Sequence, residues 1–274
     1  MPARFIDKMA VDVDGEGPAL VCVHGLGGST NTWTPLMAAF ERHRTVRIDL
    51  PGSGRSQRAY ALNDGPLTIR SLVDAVLRVC GALGIERAHF AGHSLGTIVC
   101  QHLAAAEPQR VASLMLFGPL AAPPEAARAA LAQRATRARA EGMHPIADAL
   151  LATALSATTR NTLPLAVAMT RESLLAQDAE GYARSCEALA AAQAAPLDHL
   201  RLPVLLVTGD EDAVAPPQSV RALAERLRAA GSEVTVEVLA RCGHWTPFER
   251  AADCTRLARE FLARVETGPG TRRS

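Results

Sequence analysis

The chain has little of what marks several large classes of protein. Aromatic residues make up only 4%, and net charge is almost absent, with Lys+Arg 29 against Asp+Glu 28 and a formal +1 at pH 7. So even a balance leaves no global field to attract nucleic acid or an anionic membrane surface. No apolar stretch is long enough to span a bilayer, and the opening run MPARFIDKMAVDVDGEG lacks the apolar segment of a secretion signal. The six cysteines (Cys22, Cys80, Cys100, Cys186, Cys242, Cys254) show no C-x-x-C pairing, and four lie in apolar runs or beside glycine, as small buried thiols do. These absences point to a reduced, cytoplasmic chain with neither a membrane nor a nucleic-acid partner. They do not speak to oligomeric state.

What is present is ample core material. Hydrophobic residues make up 48% of 274, enough for one large α/β domain carrying an insertion. Apolar, Val-rich runs at Ala19 to His24, Thr45 to Leu50, Ala88 to Ala91, Ala112 to Phe117, Val204 to Thr208 and Val234 to Leu239 read as buried parallel strands. Helical patterns alternate with them at Ile69 to Leu83, Leu95 to Ala106, Ser219 to Ala230 and Thr246 to Arg264, the second stopped by Pro108. Such alternation requires a mostly parallel central sheet flanked by helices. From about Pro123 to Pro196 the rhythm changes to Ala-, Leu- and Arg-rich helical sequence with no strand in it. An insertion there falls over the carboxyl ends of the strands, where open α/β sheets bind ligands, and reads as a lid. The expected division is 1–122 and 197–266 as core, 123–196 as lid, and Thr267 to Ser274 as a flexible tail.

The chemistry-bearing residues fall at strand ends. Gly92-His93-Ser94-Leu95-Gly96 is a G-x-S-x-G between a strand and a helix. A serine on that sharp turn is held in a strained conformation with its oxygen exposed, and side chains at the flanking glycines would collide. A serine hydroxyl is a weak nucleophile at neutral pH and needs a histidine base, itself oriented by a carboxylate. His244, in Cys242-Gly243-His244-Trp245 after a strand, is the candidate base. Asp212, three residues after Gly209, is the candidate acid, with Asp210 and Glu211 read as solvent-facing turn residues. His43, His89, His102, His144 and His199 suit packing or surface positions. His93 neighbours the serine, and its position is expected to turn its ring away from the base. No metal is implied, because His89 and His93 lie on a strand and its turn rather than on a helix face.

The run His24-Gly25-Leu26-Gly27-Gly28-Ser29 follows the first interior strand. Its glycines free the backbone to aim amides at a ligand. The amides of Leu26 and Leu95 are the candidate oxyanion hole. The run lacks the Lys-Ser/Thr of a nucleotide P-loop and the spacing of a dinucleotide site, so no organic cofactor is implied. Gly25, Gly27, His93, Trp245, Arg134 and Arg137 are the candidates for the substrate pocket.

With these residues the sequence resembles the α/β-hydrolase superfamily over nearly its whole length. The order Ser94, Asp212, His244 is that fold's order, and Asp49 to Ser56 (DLPGSGRS) is similar to its D-x-P-G-x-G-x-S turn, which shapes a loop beside the site. Within the superfamily, Glu141 to Ala149 and Asp178 to Glu187 resemble the lid of 3-oxoadipate enol-lactonase-like esterases. Those enzymes often carry Asn-Ser in place of His24-Gly25-Leu26 and usually a lid Trp; here only Trp33 and Trp245 occur. The lid has as many Arg as Asp and Glu, hence no net field for a dianion, though Arg134, Arg137 or Arg139 could clamp a carboxylate. The resemblance implies hydrolysis of a small carboxylic ester or lactone, including enol-lactones, through an acyl-enzyme. Ser94 excludes the Asp-nucleophile dehalogenases and epoxide hydrolases. Carbon–carbon bond hydrolases and perhydrolases share the same residues, and a ligand receptor with little turnover is the reading from another class.

Overall fold

The interior strands form where the apolar runs lie, because a strand buried on both faces must be apolar at successive positions. The computed structural model describes residues 4–57, 59 and 65–267. Its strands are β1 (Arg4–Ile6), β2 (Met9–Asp14), β3 (Ala19–Val23), β4 (Arg44–Ile48), β5 (Ala88–His93), β6 (Val111–Phe117), β7 (Pro203–Gly209) and β8 (Glu233–Leu239). They make one sheet in the order β1-β2-β4-β3-β5-β6-β7-β8. Pairing is parallel from β4 to β8 and antiparallel only where β1 meets β2 and β2 meets β4.

Side chains alternate between two cores on the two faces of the sheet, as the pleat requires. Val21, Phe90, Leu116 and Leu206 face one core, closed by α1 (Ile69–Ala82), α2 (Leu95–Ala106) and α8 (Pro217–Ala229). Cys22, Ala91, Phe117 and Val207 face the other, closed by a 3-10 segment at Thr30–Ala39 and by α10 (Ala251–Thr267). All six cysteines are free and buried in these cores or beneath the insertion.

Three elements depart from the sequence expectation. The β1–β2 hairpin turns through Asp7 and Lys8, both at positive φ (49° and 64°), without the Asn-Gly or Asp-Gly that announces such a turn. The 3-10 segment contains Pro35, which hides it from a helical pattern. The expected helix from Thr246 to Arg264 is two helices, α9 (Thr246–Glu249) and α10, broken at Arg250 (φ −135°, ψ 52°). Thr267, placed in the tail, is the last residue of α10, and the rest of that tail lies outside the described residues. Among the described residues no helix is long and apolar enough to cross a membrane.

Between β6 and β7 the chain runs through α3 (Glu125–Glu141), α4 (His144–Ala154), α5 (Ala157–Thr162), α6 (Pro164–Leu175) and α7 (Ala179–Ala191). This is a helical insertion of the kind that forms a lid. Helices α3 and α7 pack through Leu131, Ala135 and Ala138 against Tyr182, Ala183 and Cys186, with Arg139 bridging to Glu180 and Glu187 outside.

At the amino ends of the strands His43, His89 and Glu266 meet, with His43 Nε2 donating to Glu266 Oε1 at 2.7 Å. His89 Nδ1 lies 2.7 Å from Ser113 Oγ. Burial, with His43 beside it, pushes the His89 ring down from 6.5 to about 4. Between those values the unfolded chain binds a proton that the folded chain refuses, so stability is lost as pH falls through that window. Relative to His89→Asn, the wild type should lose about 1.4 kcal/mol of folding free energy per pH unit below 6.5. Urea denaturation at pH 7 and pH 5 checks this; parallel curves for the two proteins would contradict it.

Candidate active site

Ser94 lies between the end of β5 and the start of α2, at φ 50° and ψ −118°. A non-glycine residue there carries strain of about 1–3 kcal/mol, which the flanking strand and helix must hold in place. The glycines on either side are sterically required. A Cβ on Gly92 would come within 2.7 Å of Gly96 O, and one on Gly96 within 2.1 Å of Val23 O at the end of β3. The elbow is therefore wedged against the next strand as well as against itself.

Because β5, β7 and β8 run parallel, the loops that leave them share one edge of the sheet. The β7 loop delivers Asp212 and the β8 loop His244. Ser94 Oγ donates to His244 Nε2 at 2.8 Å, and His244 Nδ1 donates to Asp212 Oδ2 at 2.9 Å. The acceptor-only carboxylate assigns the Nδ1 proton, leaving Nε2 free to receive one. Asp212 Oδ1 accepts from the Val214 and Ala215 amides at 2.8 Å each, and Thr208 Oγ1 lies 3.3 Å from Oδ2. Burial alone would raise the Asp212 carboxyl, but His244 and these amides more than offset it, and its pKa is lowered. All three side chains are buried, Ser94 and His244 each at 7% exposure, so the serine is reachable only through the cavity above it.

The loop acids beside Asp212 are exposed but not idle. Asp210 Oδ1 accepts from the Cys242 amide at 3.1 Å, and Glu211 Oε2 from the Ala157 amide at 2.9 Å. His93 departs from expectation. Its ring does not turn away but lies 5.3 Å from the His244 ring and 5.4 Å from Trp245, although it lines the cavity as a pocket candidate should. Its Nε2 donates to the His244 carbonyl at 3.0 Å, which leaves a buried Nδ1 without a partner. Burial, then the nearby His244, pushes the His93 ring down to about 3, so it stays neutral.

Two residues that hold His244 escaped the sequence reading. Gly118, after β6, has φ +58°, and a Cβ there would lie 2.9 Å from His244 Cε1. A glycine closing an apolar strand run was the available signal. Glu249 is 3% exposed. Its carboxylate accepts from the amides of Ser156, Gly243 and Trp245 at 2.9, 2.9 and 3.0 Å, and from Thr159 Oγ1 at 2.8 Å. It thus binds the His244 loop to the turn between α4 and α5, where the His244 amide also donates to Ala154 O at 2.8 Å. An acid in the first turn behind Thr246-Pro247 hints at capping, not at this reach.

The Gly-rich loop is anchored by neighbours. His24 Nε2 accepts from the Leu50 amide at 2.9 Å, so its Nδ1 donates to Gly25 O at 2.8 Å. Asp49 accepts from the Thr30 amide at 2.6 Å and from Arg55 Nε at 2.9 Å, which ties the DLPGSGRS turn to the loop. A Cβ on Gly25 would lie 2.8 Å from Ser94 Cβ, and one on Gly27 (φ +77°) 2.5 Å from Leu174 Cδ2 of α6. Neither glycine lines the cavity; both permit close packing around it. Leu26 does line it, and among the described residues no hydrogen bond takes up the Leu26 or Leu95 amide.

The cavity encloses about 270 Å³ above Ser94 and His244 and is roofed by the insertion. Trp245 and Arg134 line it as expected. Arg137 does not: it faces outward from α3 and pairs with Glu141 at 3.0 Å, one turn further along the same face. Arg139 is likewise committed to Glu180 and Glu187. Among the described residues the one cluster with metal-ligand spacing is His43, His89 and Glu266, at the opposite end of the sheet. A metal on His43 Nε2 would move the proton to its buried Nδ1, where nothing accepts it.

The fold agrees with the comparisons. The family model described as alpha/beta hydrolase fold matches residues 18–251, and the chain belongs to that family. A thermophilic esterase from Thermogutta terrifontis, solved with malate bound, is similar at TM-score 0.86 and 26% identity over 94% of each chain. The enol-lactonase from Burkholderia xenovorans LB400 is similar at TM-score 0.83 and 30% identity, over 96% of this chain and 100% of that one. A putative carbamate hydrolase, RutD, from Variovorax paradoxus is 29% identical over 93% of this chain and 95% of its own. Against two other curated relatives the chain spans only 28% and 38% of their length.

Removing the Glu249 carboxylate leaves three buried amides and one hydroxyl without an acceptor. Glu249→Ala should cost about 3 kcal/mol or more of folding free energy. Urea denaturation against wild type checks this, and a loss below about 1 kcal/mol would contradict the anchoring role.

Proposed function

We propose that this protein hydrolyses a small carboxylic ester or lactone through an acyl-enzyme on Ser94, and that residues 123–196 act as the lid over the site. The observation that carries the reading is the Ser94–His244–Asp212 hydrogen-bonded line, at 2.8 and 2.9 Å, on three strand ends beneath a mostly apolar cavity. The named esterase and enol-lactonase relatives support an ester-bond substrate.

In this reading Ser94 Oγ attacks the carbonyl carbon as its proton passes to His244 Nε2. Asp212 holds the ring in place and stabilises the positive charge that forms on it. The carbonyl oxygen, now an anion, accepts from the amides of Leu26 and Leu95, each worth about 3 kcal/mol of barrier lowering. Collapse of the intermediate breaks the bond to the alcohol oxygen, which takes the proton from His244. A lactone's alcohol stays attached to its acyl chain. Water then repeats the sequence on the acyl-serine and releases the acid. His93, neutral and bonded to the His244 carbonyl, steadies the base without adding a competing charge.

Ser94→Ala is expected to abolish turnover of p-nitrophenyl butyrate with an unchanged circular dichroism spectrum, and Asp212→Asn to lower kcat by about three to four orders of magnitude. Wild type should also gain the mass of one fluorophosphonate adduct, absent from Ser94→Ala. Retention of most esterase activity by Ser94→Ala would overturn the reading.

A further inference from the structure

The insertion meets the Gly-rich loop at the corner where α6 ends and α7 begins. Ser173 Oγ donates to Gly27 O at 2.8 Å. Gln177, 6% exposed, fills the space between that corner and the core. Its Nε2 donates one hydrogen to Ser173 O at 2.8 Å. The other is shared between the carbonyls of Gly27 and Gly28, at 3.3 and 3.2 Å. Its Oε1 accepts from the Gly54 amide of the DLPGSGRS turn at 3.2 Å, which assigns the two ends of the carboxamide. Packing closes the same contact. A Cβ on Gly181 would fall 2.2 Å from Gly52 O, and Leu174 lies directly against Gly27. Neither Ser173 nor Gln177 lines the cavity, so neither meets substrate.

Three of the four residues from Gly25 to Gly28 are glycine. The turn they make is closed by the Gly28 amide on Gly25 O at 2.9 Å and has Gly27 at φ +77°. So glycine-rich a stretch has a wide choice of conformations, and ordering it costs about 1–2 kcal/mol per residue. An amide stabilises an oxyanion only if it is already aimed when the charge forms. The Leu26 amide is carried by this turn, and the carbonyls of the next two residues are the ones held from the insertion. We infer that Gln177 and Ser173 are positioning residues for the oxyanion hole: by holding the Gly27 and Gly28 carbonyls they fix the direction of the Leu26 N–H toward the Ser94 adduct. This rests on the ester-hydrolase reading and places part of its machinery in the insertion, outside the cavity. Bonds that merely held the insertion on the core would, when lost, loosen α6 and α7 and leave the chemistry alone.

The test measures kcat and KM for p-nitrophenyl butyrate in Ser173→Ala, Ser173→Thr and Gln177→Met. Acylation and deacylation both pass through an oxyanion, so kcat falls whichever step limits it. Ser173→Ala and Gln177→Met should lower kcat about ten- to a hundredfold, with KM within about twofold of wild type. Ser173→Thr keeps the hydroxyl and should recover most of the rate. Propyl trifluoromethyl ketone takes Ser94 Oγ at its carbonyl carbon while the serine proton passes to His244, which leaves an alkoxide in the same hole. Its affinity should fall by the same factor as kcat/KM. Gln57→Ala removes the Gln57 Nε2 bond to Ala176 O at the outside of the corner, leaves the loop carbonyls held, and should match wild type. Hydrogen–deuterium exchange needs no turnover: peptides covering residues 24–29 should exchange faster in Ser173→Ala and Gln177→Met than in wild type or Gln57→Ala. Wild-type kcat in both variants, a loss through KM alone, or undiminished ketone affinity beside a lowered kcat would overturn the positioning role. If wild type turns over no ester and the loop still exchanges faster in the two variants, the hydrolase reading fails and the anchoring of the loop stands; unchanged exchange sinks the anchoring.

Discussion

The candidate site is organised around one line of hydrogen bonds, from Ser94 Oγ through the His244 ring to Asp212. No two of its members are neighbours in the chain. They meet because β5, β7 and β8 lie parallel in one sheet, so that the loops leaving their carboxyl ends converge. A slip of one strand by a single residue would turn its side chains to the other face and shift the loop it carries. The two apolar cores, one on each side of the sheet, resist such a slip because each interior strand sends alternate side chains into both.

The supports around that line are unequal in kind. Ser94 is held by exclusion: glycines at 92 and 96 allow backbones to approach where any side chain would collide. Asp212 is held by donors, two amides that favour the ionised form in spite of burial. His244 is held from three directions, by the space above Gly118, by His93 on its carbonyl, and by Glu249 through the amides on either side of it. Glu249 also binds the turn between α4 and α5, so the insertion and the His244 loop share one buried carboxylate. The position of that part of the insertion and that of the His244 loop are therefore tied through a common anchor.

A cavity of this kind divides its labour between wall and floor. The floor is polar, with the side chains of the line hydrogen-bonded to one another. The wall is apolar and comes largely from helices that pack on one another more than on the sheet. Fold membership accordingly says little about what enters, since function follows the site and not the scaffold. The lining residues of α3 and α7 carry that information.

The nature of the sheet, the helical insertion and the meeting of Ser94, Asp212 and His244 were legible in the sequence. Each depends on short-range pattern: apolar runs, a glycine pair two residues either side of a serine, an acid and a histidine just past strand ends. Where a signal was weak or local chemistry unusual, legibility failed. The β1–β2 turn through Asp7 and Lys8 carries no glycine, the segment at Thr30–Ala39 is interrupted by Pro35, and the break at Arg250 comes one residue after the buried Glu249 with no glycine or proline at that position. Arg134, Arg137 and Arg139 look alike in a helical run, yet a rotation of about 100° per residue sends them to different surroundings. One borders the cavity and two hold acids outside. Sequence by itself determined which chemical groups the chain possesses and at which strand ends they emerge. Only the tertiary structure decided which of them touch, because contact between residues far apart in the chain is set by how helices and loops pack around the sheet.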